Sequence, residues 1–447
     1  MPQTDTAPRR TVWLLGPALV AGVAYLDPGN VASNMTAGAR FGYLLVWVIV
    51  LGNALAWLIQ YLSAKLGVVT GRSLAETLGE RIANPWARRA YWLQAELVAM
   101  ATDIAEVIGG AVALRLLFGV PLPVGGLVTG AVSIALLLVQ QRRGARAFEF
   151  VVIGLLAVIV IGFAYGVVIA PPDAAGIAAG LVPRFAGTDS VLLAASILGA
   201  TIMPHAIYAH SALARDRFAA RSARPTPATP TAPATGARPV APSTGTPPAS
   251  EPAPAAPETD RIASIPRLLR ATRWDVTIAL VVAGTVNLAI LLLAAANLAG
   301  QPGTDTLEGA HAALASGLGA ATATLFAVGL LASGLASTAV GAYAGAEIMQ
   351  GLLRIRIPLL ARRIATLLPA LVLLSAGVDP TWALVVSQVV LSFGIPFALV
   401  PLVAFTARAE LLGTFRNRWW TTFGGVLAAL SLIGLNAVLL WLLLTGG

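Results

Sequence analysis

Apolar runs of about 20 residues recur along almost the whole chain, and they constrain its fold more than any other feature. A run of this length spans a bilayer as a helix, where every backbone polar group must be bonded within the segment. Of the 447 residues, 57% are hydrophobic and 11% are charged, whereas soluble domains have about 25% charged residues. The sequence therefore predicts an all-α membrane protein that crosses the bilayer many times.

We count eleven such runs and number them as spans one to eleven. The first follows Arg9 and Arg10, as the apolar core of a signal peptide would, but we expect it to be retained because the chain re-enters the membrane repeatedly. The runs are Val12 to Ala37, Tyr43 to Gly67, Tyr91 to Phe118, Leu122 to Val139, Phe148 to Ala170, Ser190 to Leu213, Val276 to Leu298, Ala321 to Leu353, Pro358 to Ala376, Thr381 to Phe405 and Trp419 to Leu444.

The positive charges indicate the orientation. With the N-terminus inside, all of the 29 Lys and Arg residues except Arg40, Arg115 and Arg184 fall on the cytoplasmic side, as the positive-inside rule requires. We therefore expect an inner cell membrane protein with Gly447 outside. The net charge of +9 then reflects topology, so neither a nucleic-acid partner nor an obligate protein partner is inferred. The chain has no cysteine, which excludes disulfides and thiolate metal sites.

Two spans are interrupted by proline. Span one contains Asp27-Pro28-Gly29-Asn30, and span six contains Met203-Pro204-His205. Broken helices at matching positions of two halves are typical of transporters built from repeats, with the binding site near the midplane. Because the breaks lie five spans apart, an odd number, the second half is inverted relative to the first, and the two breaks face each other.

The residues at the breaks indicate a cation. Proline and glycine free the carbonyl oxygens just before each break, those of Ala24 and Ala200 among them, and the C-terminal ends of half-helices attract positive charge. Asp27 adds a carboxylate and Asn30 an amide oxygen. Met203 adds a thioether, which favours a transition metal over Mg²⁺ or Ca²⁺. A buried methionine alone is most often a core filler, but its position in the break favours a ligand.

Span three contains a second polar cluster. Glu96, Asp103 and Glu106 are spaced by seven and three residues, so they share one helical stripe. Acidic residues within a span commonly line a proton or ion path. The alternative is a static ion-pair network between helices. The basic residues expected to complete the path are Arg362 and Arg363 in span nine and Arg217 at the end of span six.

The three histidines and Glu347 are further candidate titratable residues. His205 directly follows Pro204, and a histidine there suits a gate or a proton carrier. His210 is interpreted as a satisfied polar residue or a second participant. His311 is expected in an outer loop, and Glu347 at the cytoplasmic interface.

Together these motifs resemble the Nramp (natural resistance-associated macrophage protein) family of proton-coupled divalent metal transporters, in particular its bacterial members. The paired breaks, Asp27 to Asn30 and Ala200 to His205, are the most specific features. The resemblance covers nearly the whole chain except the segment from Ser222 to Asp260, and it includes Ala101 to Glu106, Ser337 to Gly345 and Gln388 to Phe397.

The resemblance implies an eleven-helix LeuT-type fold, with spans one to five and six to ten as inverted repeats. It also implies a secondary transporter, not an enzyme, which imports Mn²⁺ or Fe²⁺ with protons by alternating access; the metal is then the substrate and no cofactor is expected. The family's ligands fall on Asp27, Asn30, the Ala200 carbonyl and Met203. The Ala24 carbonyl and Gln388 join as the site closes. The family's magnesium-transporting branch lacks the equivalent of Met203.

The resulting organisation has five parts. Residues 1–11 form a cytoplasmic tail, 12–213 hold the first repeat and span six, 214–275 form a cytoplasmic loop, 276–405 complete the second repeat, and 406–447 add a loop and span eleven. Within the loop, Ser222 to Asp260 contains eleven prolines and is expected to be disordered. It is either a regulatory or docking segment or a tolerated insertion.

Other functions are weighed against metal transport. A LeuT-type carrier for an amino acid would meet the carboxylate of its substrate with Asp27, which repels it. An intramembrane metallohydrolase needs a His-rich zinc motif, which three scattered histidines do not provide. A metal sensor without transport stays open.

Overall fold

The structure is a computed structural model, and it describes residues 18, 21–22, 24–143, 145–222, 258–355 and 358–446. All regular secondary structure in these ranges is helical. The predicted tail 1–11, most of the first half of span one and residues 223–257 of the Pro-rich segment lie outside them.

Residues 18 and 21–22 are helical, and sixteen α-helices have bounds within the described ranges. They are α1 (Pro28–Phe41), α2 (Val46–Thr70), α3 (Leu74–Arg81), α4 (Pro85–Phe118), α5 (Leu122–Arg143), α6 (Ala145–Ile169), α7 (Ala174–Gly180), α8 (Thr188–Ile202), α9 (Pro204–Ser222), α10 (Glu258–Asn297), α11 (Leu307–Leu318), α12 (Ala320–Leu353), α13 (Leu359–Ser375), α14 (Pro380–Ala407), α15 (Ala409–Leu412) and α16 (Trp419–Thr445).

Seven helical stretches of the described residues are long and apolar enough to cross a membrane, or eight if α6 and α7, bent by 119° at their junction, form one span. The stretch Pro28–Thr70 counts as one of them. In α5 the residues Leu122–Leu136 form a shorter apolar stretch, and α13 has 17 residues, among them Arg362 and Arg363. The all-helical membrane fold is confirmed, whereas the number of eleven spans stays a prediction.

Both predicted breaks are present. A 3-10 turn, Ala24–Leu26, ends before Asp27, and α1 begins at Pro28. Span six is divided between α8 and α9, with Met203 at the junction and Pro204 as the first residue of α9. Proline is well suited to a first helical position, where its fixed φ fits and its missing N–H has no helical acceptor.

Some helices extend beyond the apolar runs or lie outside them. Span seven was predicted to begin at Val276, but α10 begins at Glu258, because charged residues lower hydropathy without ending a helix. The short α3 begins with a reciprocal capping box between Ser73 and Glu76. His311 lies on α11 rather than in an irregular loop.

The two breaks pack directly against α14. A Cβ atom added at Gly29 would lie 1.7 Å from Gln388 Nε2, and one added at Gly199 would lie 2.0 Å from the Gln388 carbonyl oxygen. Glycine is therefore required on both sides of Gln388 for this close approach. The fold thus brings α1, the junction of α8 with α9, and α14 to one point.

Candidate metal site

Pro28 determines which carbonyl oxygen becomes free at the first break. In a continuous helix the Ala24 carbonyl would accept a hydrogen bond from the amide of residue 28, which proline lacks. It accepts instead from the Asp27 amide, at 3.2 Å. The Ala24 oxygen therefore lies at the break, held by a single 3-10 bond.

The next two carbonyls are bonded by neighbouring helices. Asn287 on α10 donates from Nδ2 to the Tyr25 carbonyl at 2.9 Å. The Ser333 hydroxyl on α12 donates to the Leu26 carbonyl. These two side chains satisfy backbone groups that would otherwise be orphaned inside the membrane.

Asp27 is the N-cap of α1 and is fully buried. Its Oδ1 accepts from the Asn30 backbone amide at 2.7 Å and from Asn30 Nδ2 at 2.9 Å. Its Oδ2 accepts from Gln388 Nε2 at 3.1 Å. A carboxylate at this position is stabilised by the positive end of the helix dipole.

The second break loses a helical hydrogen bond for the same reason as the first. The Ala200 carbonyl would accept from the amide of residue 204, which is again a proline. It accepts instead from Asn30 Nδ2, at 2.9 Å. Met203, between α8 and α9, has non-helical backbone angles and is fully buried.

Two oxygens at this point have no hydrogen-bond partner. Asn30 Oδ1 and Gln388 Oε1 are both buried and unpaired, although buried polar atoms are nearly always hydrogen-bonded. A cation would satisfy both. Because the described residues contain no group of three His, Cys, Asp or Glu side chains that could hold a metal ion, such a site relies on neutral ligands around one carboxylate.

The structure therefore joins four of the six predicted ligands, Asp27, Asn30, Ala200 and Gln388, through direct hydrogen bonds. The Ala24 carbonyl is bonded to the Asp27 amide. Met203 lies three residues after Ala200 in the same break. Their role as ligands stays a proposal.

The acids of α4 meet the two arginines of α13. Arg363 Nη1 lies 2.8 Å from Asp103 Oδ1 and 3.2 Å from Glu106 Oε2. Arg362 lies 3.0 Å from Glu96 Oε1 through Nε and 3.2 Å from Asp103 Oδ2 through Nη1. All five side chains are buried, and three acids against two arginines leave one surplus negative charge.

The helix that carries the three acids packs against the first break. A Cβ atom added at Gly109 on α4 would lie 2.1 Å from Pro28 Cβ. Glu106 lies one turn earlier on the same helix, and its Oε1 is buried without a hydrogen-bond partner. The helix that carries these acids is thus in packing contact with the residue that follows Asp27.

The remaining predicted residues lie along α9 and α12. His205 Nδ1 lies 3.2 Å from Thr102 Oγ1, next to Asp103 in sequence. His210 Nδ1 lies 2.7 Å from Gln60 Oε1, so His210 is a satisfied polar residue.

Arg217 is partly buried further along α9. Arg215, two residues earlier on α9, pairs with Glu76, Asp216 and Glu347.

Several polar residues of the site region were not predicted. They are small or neutral side chains in apolar helices, and only their small-residue or amide character distinguishes them in sequence. Ser33 and Ser196 lie 2.6 Å apart between α1 and α8, and the Arg363 guanidinium also bonds Ser133 and Thr338. The full set is Ser33, Ser133, Ser196, Asn287, Ser333 and Thr338.

Comparison with known proteins places this arrangement in a family. The model of the family described as natural resistance-associated macrophage protein-like matches residues 18–442. A divalent metal cation transporter, MntH, of Mycobacterium tuberculosis (strain ATCC 25618 / H37Rv) is 54% identical over 99% of this chain and 94% of its own length. The transporter of the same name from Deinococcus radiodurans is 43% identical over 98% of this chain and 92% of its own length.

Solved structures agree with these matches. The manganese transporter of Eremococcus coleocola superposes with a TM-score of 0.78 at 30% identity, over 98% of this chain and 88% of its own. MhsT in complex with L-phenylalanine has a TM-score of 0.59 at 12% identity, over 97% of this chain and 100% of its own, which shows a shared fold alone. From the family match across nearly its full length and the similarity to these relatives, the chain belongs to the Nramp family.

Proposed function

We propose that this protein imports divalent transition metal ions, Mn²⁺ and Fe²⁺, together with protons across the inner cell membrane. The observation that carries the proposal is the convergence of Asp27, Asn30, the Ala200 carbonyl and Gln388 at the two breaks, with two buried amide oxygens left unpaired. The names of the relatives support the class of substrate, since they are divalent metal and manganese transporters.

The amide groups suggest how the ion enters. In the structure, the NH₂ groups of Asn30 and Gln388 donate to the Asp27 carboxylate, and Asn30 also donates to the Ala200 carbonyl. Rotation of each amide by half a turn would present Asn30 Oδ1 and Gln388 Oε1 to a cation beside Asp27. Met203 and the Ala24 carbonyl complete the proposed set, and the thioether favours softer ions over Mg²⁺ and Ca²⁺.

Proton coupling is proposed through the same carboxylate. A divalent cation beside Asp27 favours its ionised form, so a proton held there leaves. Helix α4, which carries the acids, packs against the break through Gly109 and Pro28, and Glu106 has a buried oxygen without a hydrogen-bond partner that could receive the proton. The path then continues through Asp103 and Glu96 with Arg362 and Arg363, while His205 and Arg217 are proposed to act in gating or proton release.

The ligands come from different helices, which supports alternating access. Asp27 and Asn30 belong to the break of α1, Ala200 and Met203 to the break between α8 and α9, and Gln388 to α14. All five residues are fully buried in the structure. We propose that small relative movements of these helices open the site to one side at a time, with the N-terminus on the cytoplasmic side and the C-terminus outside.

Uptake by proteoliposomes, with internal pH recorded at the same time, tests this function. We expect Mn²⁺ and Fe²⁺ to enter with internal acidification, Ca²⁺ and Mg²⁺ to enter poorly, and Asp27→Ala to abolish both uptake and Mn²⁺ binding measured by calorimetry. Uptake of amino acids but not of metal would contradict the proposal. Metal binding without flux would identify a sensor instead.

A further inference from the structure

Lys65 is the only lysine of the chain, and it is buried near the end of α2 with 7% of its surface exposed. Its Nζ donates to Asn417 Oδ1 at 2.9 Å. An ammonium group has three donors, and within the described residues no carboxylate pairs with Lys65. A buried charge held by one neutral amide is costly, so this position favours a negatively charged ligand.

Arginines lie close to the residues that bond Asn417, either in contact with them or next to them in sequence. Asn417 donates from its backbone amide to the Thr406 carbonyl at 2.9 Å and from Nδ2 to Thr406 Oγ1 at 2.8 Å. The ring of Phe405, the preceding residue, lies 5.5 Å from the Arg81 guanidinium carbon. The arginines around this point are all exposed, namely Arg81, Arg408, Arg416 and Arg418.

We call Lys65 and these four arginines the basic cluster. One acid, Glu410, lies among the residues from Phe405 to Trp420. Glu80, the neighbour of Arg81, is already paired with Arg72. The cluster is therefore strongly cationic, and it draws on α2, α3 and the connection between α14 and α16.

The cluster lies where α16 begins. Trp419 and Trp420 start this helix, and both are exposed; the Arg418 guanidinium lies 5.2 Å from the Trp420 ring. Exposed tryptophans at the end of an apolar helix are typical of the membrane interface. An exposed apolar stripe at helical spacing continues from there along α16, formed by Phe423, Leu427 and Leu430.

We propose that the basic cluster binds the phosphate group of an anionic phospholipid of the cytoplasmic leaflet, whose acyl chains lie along the stripe on α16. Guanidinium and ammonium groups are the usual partners of phosphate. The adjoining apolar stripe favours a lipid over a free phosphate ion, because only a lipid uses both surfaces. The phosphate of the bound headgroup is the negatively charged partner of the Lys65 ammonium group, a partner that no carboxylate of the described residues provides.

Lipid binding at the basic cluster does not depend on the metal site, and it is expected to affect the stability of the protein. Such a lipid joins α2 and α3 to the connection that follows α14, the helix that carries Gln388. We therefore expect the lipid to raise the resistance of the protein to thermal unfolding.

Binding of dioleoylphosphatidylglycerol to the full-length purified protein, measured by native mass spectrometry against dioleoylphosphatidylcholine, tests the proposal. The variants are Lys65→Gln/Arg81→Gln and, should the buried change prevent folding, Arg81→Gln alone at its exposed position. Arg115→Gln is the control, since it removes one charge from an exposed arginine near the far end of α4. Binding is measured at 0.15 M salt or above, where electrostatic attraction between exposed charges more than about 8 Å apart is largely screened.

We expect the wild type to retain phosphatidylglycerol in preference to phosphatidylcholine. The double variant is expected to bind it about tenfold more weakly, which corresponds to about 1.4 kcal/mol, whereas Arg115→Gln binds as the wild type does. Equal binding of both lipids, an equal loss in Arg115→Gln, or unchanged binding in both cluster variants would overturn the proposal. Displacement of the lipid by an equal concentration of inorganic phosphate would assign the cluster to a free anion and overturn the lipid assignment.

Discussion

Asn30 Nδ2 on α1 donates to the Ala200 carbonyl at the end of α8, at a distance of 2.9 Å. The same nitrogen also donates to Asp27 Oδ1. One amide therefore connects the carboxylate of the first break to the free carbonyl of the second. An ion that binds both the Asp27 carboxylate and the Ala200 carbonyl must displace the Asn30 NH₂ group from these two oxygens.

Asn30→Ala is expected to lower the affinity for Mn²⁺ by about tenfold or more, because it removes one proposed oxygen ligand. A tenfold loss corresponds to about 1.4 kcal/mol of binding free energy. Calorimetry of the purified variant measures the change. Asn34→Ala is the matched control, because Asn34 is an equally buried asparagine one turn further along α1 whose amide bonds Asn287 and none of the proposed ligands. An equal loss in the control would point to a general disturbance of α1.

Pro204→Ala is expected to weaken Mn²⁺ binding without changing any proposed ligand. Alanine restores an amide N–H at position 204, and this donor competes with the metal for the Ala200 carbonyl. Binding and uptake are measured together with Pro369→Ala, which restores an amide inside α13. Unchanged binding in Pro204→Ala would mean that the Ala200 carbonyl is not a ligand.

Met203→Ala is expected to admit Ca²⁺ and Mg²⁺ better while some Mn²⁺ uptake remains, because the thioether is the ligand that hard ions accept least. Competition of Ca²⁺ against Mn²⁺ uptake in proteoliposomes gives the selectivity. Met35→Ala is a suitable control, since Met35 is a buried methionine of the apolar core on α1. If wild type and Met203→Ala select ions equally, the methionine does not discriminate.

Arg363→Gln is expected to destabilise the protein by about 3–5 kcal/mol, the usual cost of leaving buried charges without their partner. Here Glu106 loses its arginine partner and Asp103 keeps Arg362 alone, and both acids are fully buried. Thermal unfolding in detergent measures the loss. Adding Glu106→Gln to Arg363→Gln removes the acid that has lost its arginine and is expected to recover part of the stability; no recovery would argue against a direct ion pair between Arg363 and Glu106.

Arg215→Ala is expected to loosen the end of the molecule where α3, α9 and α12 meet. Arg215 lies 2.7 Å from Glu76 and 3.2 Å from Glu347, and its side chain is 15% exposed. Since the chain has no cysteine, Ala206→Cys introduces a unique label at a buried position of α9. We expect faster modification of this cysteine in Arg215→Ala.

The control for that experiment is Arg72→Ala, which breaks the exposed pair with Glu80 and removes the same charge. Exposed ion pairs contribute about 0–1 kcal/mol, so the rate of labelling is expected to stay near that of the parent. An equal acceleration in both variants would show that net charge, not the Arg215 cluster, controls access.

The local part of the site could be read from the sequence. Pro28 and Pro204 each lack an amide N–H, and the helical spacing of four residues identifies Ala24 and Ala200 as the carbonyls that lose their helical donor. The stripe of Glu96, Asp103 and Glu106 follows from the same periodicity. These are consequences of short-range geometry, which the order of residues alone determines.

Only the tertiary structure decided which distant side chains meet. Gln388 lies 361 positions from Asp27 in the chain, and only the family resemblance of its segment, not any local spacing, indicated that it belongs to the site. The glycines at 29 and 199 let α14 approach both breaks, and Asn287 and Ser333 then satisfy the backbone carbonyls beside Asp27. The proline positions fix where backbone groups are freed, whereas the packing of separate helices determines what satisfies them, because that pairing depends on contacts between residues far apart in sequence.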